Sequence, residues 1–193
     1  MAKININFDA KSIKEAIQQV QTIKKKMQDE VPGKFINKCL EWVMNRANQY
    51  LSSISMDSEI ISDIQGKWII EKVSNNAMRL VNTSDKAVYV EFGVGRVGER
   101  NSHPQANIEG YQYDMPSKYK KADGSWAFDA QHKQYAIDLN EGYYVMYNKE
   151  NSNRATVLTK GSPANLYLYN AGMDLVTSGA YKTIWQETLK ETI

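Results

Sequence analysis

The chain has 193 residues, 42% of them hydrophobic and 24% charged, with a formal net charge of +2. That balance excludes wholesale disorder and leaves room for one domain with a substantial core, but not for two comfortable ones. It also argues against a dedicated duplex-DNA binder, which carries a clear basic excess on one face. The single cysteine, Cys39, rules out an intrachain disulfide framework, and its apolar helical setting predicts a buried, inert thiol. The segment Met1-Ala-Lys-Ile-Asn has no apolar run of the kind that opens a secretory signal, and no stretch approaches the roughly 18 apolar residues of a membrane span. A soluble chain made in the cytoplasm is expected, whatever particle it ends in.

In chain order, Lys3 to Phe8 alternates polar and apolar residues, as a short strand does. Ser12-Ile-Lys-Glu15 has the spacing of a capping box. Beyond it Ile13, Ala16, Ile17, Val20, Ile23 and Met27 share one helical face, with Lys24-Lys25-Lys26 on a solvated flank. Pro32-Gly33 ends this helix, and the proline suits the first turn of the next. There Ile36, Leu40, Val43, Ala47, Tyr50/Leu51 and Ile54 form a stronger stripe, with Trp42 and Met44 to either side. A helix apolar on more than one side has more than one neighbour. The two helices pair antiparallel, or one covers a sheet while the other meets another subunit.

Ile60 to Val73 and Ala77 to Val81 read as a β-hairpin around Trp68, Ile69 and Ile70, turning at Ser74-Asn75-Asn76, with Asp57 and Glu59 in a linker ahead of it. From Gly95 to Lys160 the chain is rich in Gly, Asn, Lys and Tyr. Its short strand-like runs are Ser125–Phe128, Tyr135–Leu139, Tyr143–Tyr147 and Ala155–Thr159. A structureless stretch of that length is improbable in a compact domain, so an extended β-arm or long hairpin is predicted. Met173, Val176, Ala180, Ile184 and Leu189, with Trp185 alongside, give a C-terminal amphipathic helix. The expected fold is α+β. In a single domain over 1–193, helices from both ends pack on a small, mostly antiparallel sheet. Residues 1–94 and 161–193 form the core, and about 95–160 project from it.

No catalytic constellation assembles from these residues. Gly93-Val-Gly95-Arg-Val-Gly98 has the letters of a dinucleotide fingerprint, but Glu99-Arg-Asn-Ser-His-Pro104 gives no apolar helical face, and a polar loop is expected. His103 and His132 lack a third ligand at any metal spacing and read as satisfied or exposed loop histidines. No nucleophile–base pair and no matched carboxylates appear, so neither enzymatic activity nor a cofactor is expected. The tyrosines of the arm, with Lys118, Lys120 and Lys121, suit stacking on bases or a protein interface. Near-neutral charge favours the interface.

The most informative segment is Ala87-Val-Tyr-Val-Glu-Phe-Gly-Val-Gly95, an apolar run of strand or short-helix character ending on one carboxylate, an aromatic and two glycines. It suits a fixed bend whose carboxylate answers backbone donors. Ala87, Tyr89, Val90, Glu91, Phe92, Gly93 and Gly95 resemble the signature of the neck or tail-completion family of long-tailed bacteriophages. Its members are described as gene-product-ten-like, minor capsid or tail-component proteins. Trp126, Thr159-Lys-Gly-Ser-Pro-Ala164 and Leu166-Tyr-Leu-Tyr-Asn-Ala171 are similar to the downstream pattern of members from Gram-positive hosts. Val94 stands where the family has threonine, and Gln131 to Asn153 is longer than usual.

The resemblance implies a structural virion protein of the head–tail connector region, made in the bacterial cytoplasm. It would assemble as a six- or twelve-fold ring against adjacent connector, terminator or tail proteins, with DNA passing through the lumen unread and no membrane contact. Glu91, Phe92, Gly93 and Gly95 would be a structural joint. Trp42, Tyr111, Tyr113, Trp126, Tyr143, Tyr144, Tyr147 and Pro163 would serve subunit interfaces. The alternatives are a nucleic-acid-binding module using the Lys/Tyr-rich arm, or the tail terminator of a phage-tail-like particle.

Overall fold

Helix α2 (Val31–Ser53) organises the first of two compact units, which the chain forms from residues 1–83 with 167–193 and from residues 84–166. The computed structural model describes residues 10–74, 76–113, 126–131, 143–147, 154–159 and 161–193. The expected strand at Lys3–Phe8, Asn75 of the hairpin turn, the run Tyr135–Leu139, His132 and Lys118–Lys121 lie outside them.

Residues Cys39, Val43, Ala47 and Leu51 recur every fourth position on α2 and are buried, as an amphipathic helix requires. Burial pushes the Cys39 thiol up from its ordinary pKa, in keeping with the inert thiol expected. Against α2 lie the antiparallel hairpin of β1 (Trp68–Ser74) and β2 (Ala77–Asn82), and the helices α6 (Tyr167–Thr177) and α7 (Ala180–Thr192). The second neighbour of its broad apolar surface is thus within the same unit. The Trp68 indole N–H donates to Asn48 Oδ1 at 2.8 Å, and its ring meets Tyr167 edge-on at 6.3 Å, tying β1 to α2 and α6.

Several expectations change here. Ser12 lies inside α1 (Ala10–Asp29) instead of capping it. Helices α1 and α2 do not fold back on each other. Only Glu30 interrupts them, in right-handed helical conformation, and the amides of Glu30 and Lys34 continue the ladder to Lys26 and Glu30 carbonyls at 3.0 and 3.1 Å. Pro32, near the helix start, lacks only an N–H that needs no helical partner, so it opens α2 without reversing the chain. Ile60 to Gln65 belong to helix α3 (Ser58–Gln65), not to the hairpin, because Asp57 caps it by accepting the Glu59 amide at 2.9 Å.

The expected C-terminal helix is two helices. Gly179, at φ +74°, breaks the phase between them, so Met173 and Val176 face solvent while Tyr167, Ala171, Ile184 and Thr188 turn inward.

The second unit, expected to begin as an arm at Gly95, starts at Ser84. It opens with α4 (Ala87–Phe92) and α5 (Gly95–Arg100). It then holds an antiparallel sheet of β3 (Trp126–Gln131), β4 (Tyr143–Tyr147) and β5 (Arg154–Thr159) in the order β3-β5-β4. Three of the four strand-like runs are therefore strands. The fold is α+β, with mostly helical elements around a two-stranded sheet in the first unit. Among the described residues no helix is long and apolar enough to cross a membrane.

Leu51 is fully buried in the last turn of α2. Leu51→Ala should cost about 2–5 kcal/mol, from lost transfer energy and the cavity left behind, read as a lower urea midpoint for the first unit. A loss below half a kcal/mol would mean that α2 is not its core.

Candidate functional site: the turn at Glu91–Gly93

Helix α4 has six residues, too short to hold together by its own ladder. Ser84 opens it: its carbonyl accepts the Ala87 amide (3.2 Å) and its hydroxyl the Lys86 amide (3.2 Å). Ala87, Val90 and Glu91 face inward at helical spacing, while Val88 and Tyr89 are exposed. Of the two readings open for this run, the helix is the one formed.

Gly93 ends α4 at φ +78° and ψ 177°, a region that favours glycine. Space makes the requirement stricter. A Cβ on Gly93 would lie 2.6–2.7 Å from backbone atoms of Ser162, Pro163 and Ala164. The returning chain, β6 (Gly161–Ser162), therefore runs backbone to backbone against the turn, and Val94 bridges Ser162 antiparallel. Just beyond, the Asn165 amide donates to the Val90 carbonyl at 3.1 Å and the Leu166 amide to the Glu91 carbonyl at 3.3 Å. These are carbonyls that the end of a helix leaves without partners. Asn165 Nδ2 also donates to the Val90 carbonyl at 3.1 Å. Leu166 itself sits at φ 55°, uncommon for a branched residue, and its amide's bond to Glu91 holds it there.

The Glu91 carboxylate meets an imidazole, a partner not expected from the sequence. His103 Nε2 lies 3.0 Å from Glu91 Oε1, and the two side chains are only 2% and 7% exposed. His103 Nδ1 accepts the Gln105 amide at 3.0 Å, which places the ring proton on Nε2, donated to the carboxylate. The Phe92 ring stacks on His103 at 4.1 Å and lies 4.7 Å from Tyr111, which meets Tyr113 edge-on at 5.0 Å. Tyr111 Oη donates to the Gly93 carbonyl at 2.7 Å, and Tyr113 Oη accepts the His103 amide at 2.7 Å. A Cβ on Gly98 would come within 2.9 Å of Gly93 and of the Tyr113 ring, so α5 also approaches closely. Helix α5 replaces the polar loop expected after the glycines.

Glu91, Phe92 and Gly93 are thus brought together, with Pro163 against Gly93 and Gly95 opening α5. Tyr111 and Tyr113, expected on an interface, are engaged inside their own unit. Trp126, Tyr143, Tyr144 and Tyr147 lie on β3 and β4. Trp42 lies on α2 in the other unit. His103 and Gly98 were not assigned to this turn from sequence. A histidine twelve positions after a glutamate carries no spacing signal, because the loop between them sets the contact. Both ring nitrogens of His103 are engaged and the pair is buried, an arrangement suited to bracing. Among the described residues no three His, Cys, Asp or Glu side chains could share a metal. No family model, curated protein or solved structure matches the chain.

Burial, with lesser repulsion from the neighbouring tyrosines Tyr89 and Tyr113, pushes the Tyr111 hydroxyl up to about 12. Unfolded tyrosine ionises near 10, so between the two values the unfolded chain loses a proton that the folded chain keeps. Stability contributed by Tyr111 is full below pH about 10 and falls as pH rises towards 12. Tyr111→Phe should give a shallower stability loss over that range in pH-dependent urea unfolding. An unchanged profile would show that Tyr111 does not titrate with unfolding.

Proposed function

We propose that this chain is a structural virion protein of the head–tail connector region of a long-tailed bacteriophage, completing the tail and joining it to the head as one subunit of a ring. The observation that supports the reading most is the docking of Gly93 on Ser162–Ala164. The two segments that carry the resemblance, Ala87–Gly95 and Thr159–Ala164, are distant in sequence, and their described residues meet backbone to backbone. Glu91, Phe92, Gly93 and Gly95 act in this reading as a joint that serves shape. The engaged state of His103 supports that role over catalysis. Rings with heterologous contacts need subunits whose surfaces hold a fixed geometry, since closure follows from the rotation between neighbours. Six- or twelve-fold symmetry, adjacent connector or tail proteins as partners, and a virion location belong to the same proposal.

A particle carrying this protein labelled at its C-terminus should show the label at the head–tail junction in negative-stain images. Label on the capsid shell or at the tail tip would contradict the reading. Strong, salt-dependent DNA binding by the isolated protein would favour a nucleic-acid-binding module instead.

A further inference from the structure

Between α2 and α6 in the first unit runs an open groove of about 410 Å³, lined by Trp42, Asn45, Arg46, Gln49, Asp174 and Ser178. Its size falls within the roughly 300–1,000 Å³ usual for ligand sites. The floor is braced. Arg46 Nε donates to Asp174 Oδ2 at 2.7 Å, Tyr50 Oη donates to the same oxygen at 2.7 Å, and the guanidinium sits 4.9 Å over the Tyr50 ring. The hydrogen bonds from Tyr50 and Arg46 hold the Asp174 carboxyl below its usual range, and the bond to Asp174 raises Arg46, so the pair stays ionised at neutral pH. One cation and one anion cancel in the groove. The paired charges leave no net charge to recruit an ionic occupant, so the groove complements a neutral polar one.

The rim supplies the rest. Asn45 and Gln49 are exposed on α2 four residues apart, a rise of about 6 Å along a helix. An extended polypeptide presents equivalent backbone groups every second residue, about 6.6 Å apart. The two helix positions are therefore spaced close to the repeat of an extended chain laid along α2. A primary amide offers both a donor and an acceptor, the pair that a peptide unit needs. Arg46 Nη1 donates to Gln49 Oε1 at 2.9 Å, which engages that oxygen and leaves the Gln49 NH2 to donate. Trp42, one turn before Asn45, adds a flat apolar surface for one side chain of the guest.

From this register and charge balance we infer that the Trp42–Asn45–Gln49 groove binds an extended, uncharged polypeptide segment of a partner protein through its backbone. The inference does not depend on ring assembly, since a monomer carries the whole groove. It assigns the kind of partner contact that Trp42 makes.

The test uses the full chain labelled with ¹⁵N and a blocked heptapeptide of alternating threonine and tyrosine. A helix-forming alanine–glutamine peptide and oligothymidine serve as comparisons. The Asn45 and Gln49 side-chain amides and the Trp42 indole N–H should shift saturably with the extended peptide and not with the other two. The double variant Asn45→Ala/Gln49→Ala replaces two exposed residues. It should keep its backbone spectrum and bind roughly tenfold more weakly, from two modest hydrogen bonds lost. Absence of shifts at millimolar peptide, equal shifts with the helical peptide or oligothymidine, or undiminished binding by a folded double variant would each overturn the inference.

Discussion

The second unit depends on one close approach: the backbone at Gly93 touching the backbone of Ser162–Ala164 with no room for a methyl group between them. Everything described around it follows from that proximity. Helix α4 is too short to be stable alone, and its C-terminal carbonyls need partners. The returning chain supplies them through the Asn165 and Leu166 amides, and it reaches them only because Gly93 has no side chain in the way. The bridge from Val94 to Ser162 extends the same contact by one residue. A short helix, a sharp turn and a distant segment become one rigid piece.

Around this contact the side chains lock the turn from the opposite direction. Glu91 points inward from α4 and meets His103, whose other nitrogen is held by the Gln105 amide. Burying a carboxylate is costly unless it is hydrogen-bonded, so the pair constrains the loop that carries His103 as strictly as it satisfies Glu91. The aromatic series Phe92, Tyr111 and Tyr113 fills the space beside the pair, and two tyrosine hydroxyls close on backbone groups. Polar and apolar contacts here enforce a single geometry. That is the property a subunit of a closed ring requires, and it is why the proposed role is one of shape.

Much of the first unit was legible because helical periodicity reports burial directly. Val43, Ala47 and Leu51 lie on the stripe read from the sequence and are in the core. The hairpin turn was readable for its turn residues, though its first strand was read too long. Ile60 and Ile61 are apolar and β-branched, and only the Asp57 cap shows that they start a helix. The C-terminal stripe failed at Gly179, where one left-handed residue resets the phase and sends Met173 and Val176 outward. In the second unit the glycine pattern marked the turn correctly, because glycine at a bend has few other reasons to recur. Its partners were invisible. His103 reaches Glu91 across the loop between them, and Ser162–Ala164 reach Gly93 through long-range chain return, neither of which a local pattern encodes.

The central claim is that close approach at Gly93, beyond its backbone angle alone, holds the returning chain. Hydrogen exchange at the Asn165 and Leu166 amides tests it in two variants, Gly93→Ala and Gly110→Ala. Both glycines have positive φ, at +78° and +65°, but a Cβ on Gly110 would meet nothing within 4 Å. Gly93→Ala should strip protection from both amides by more than roughly tenfold, while Gly110→Ala leaves it nearly intact. Equal protection in the two variants, or full protection in Gly93→Ala, would contradict the account.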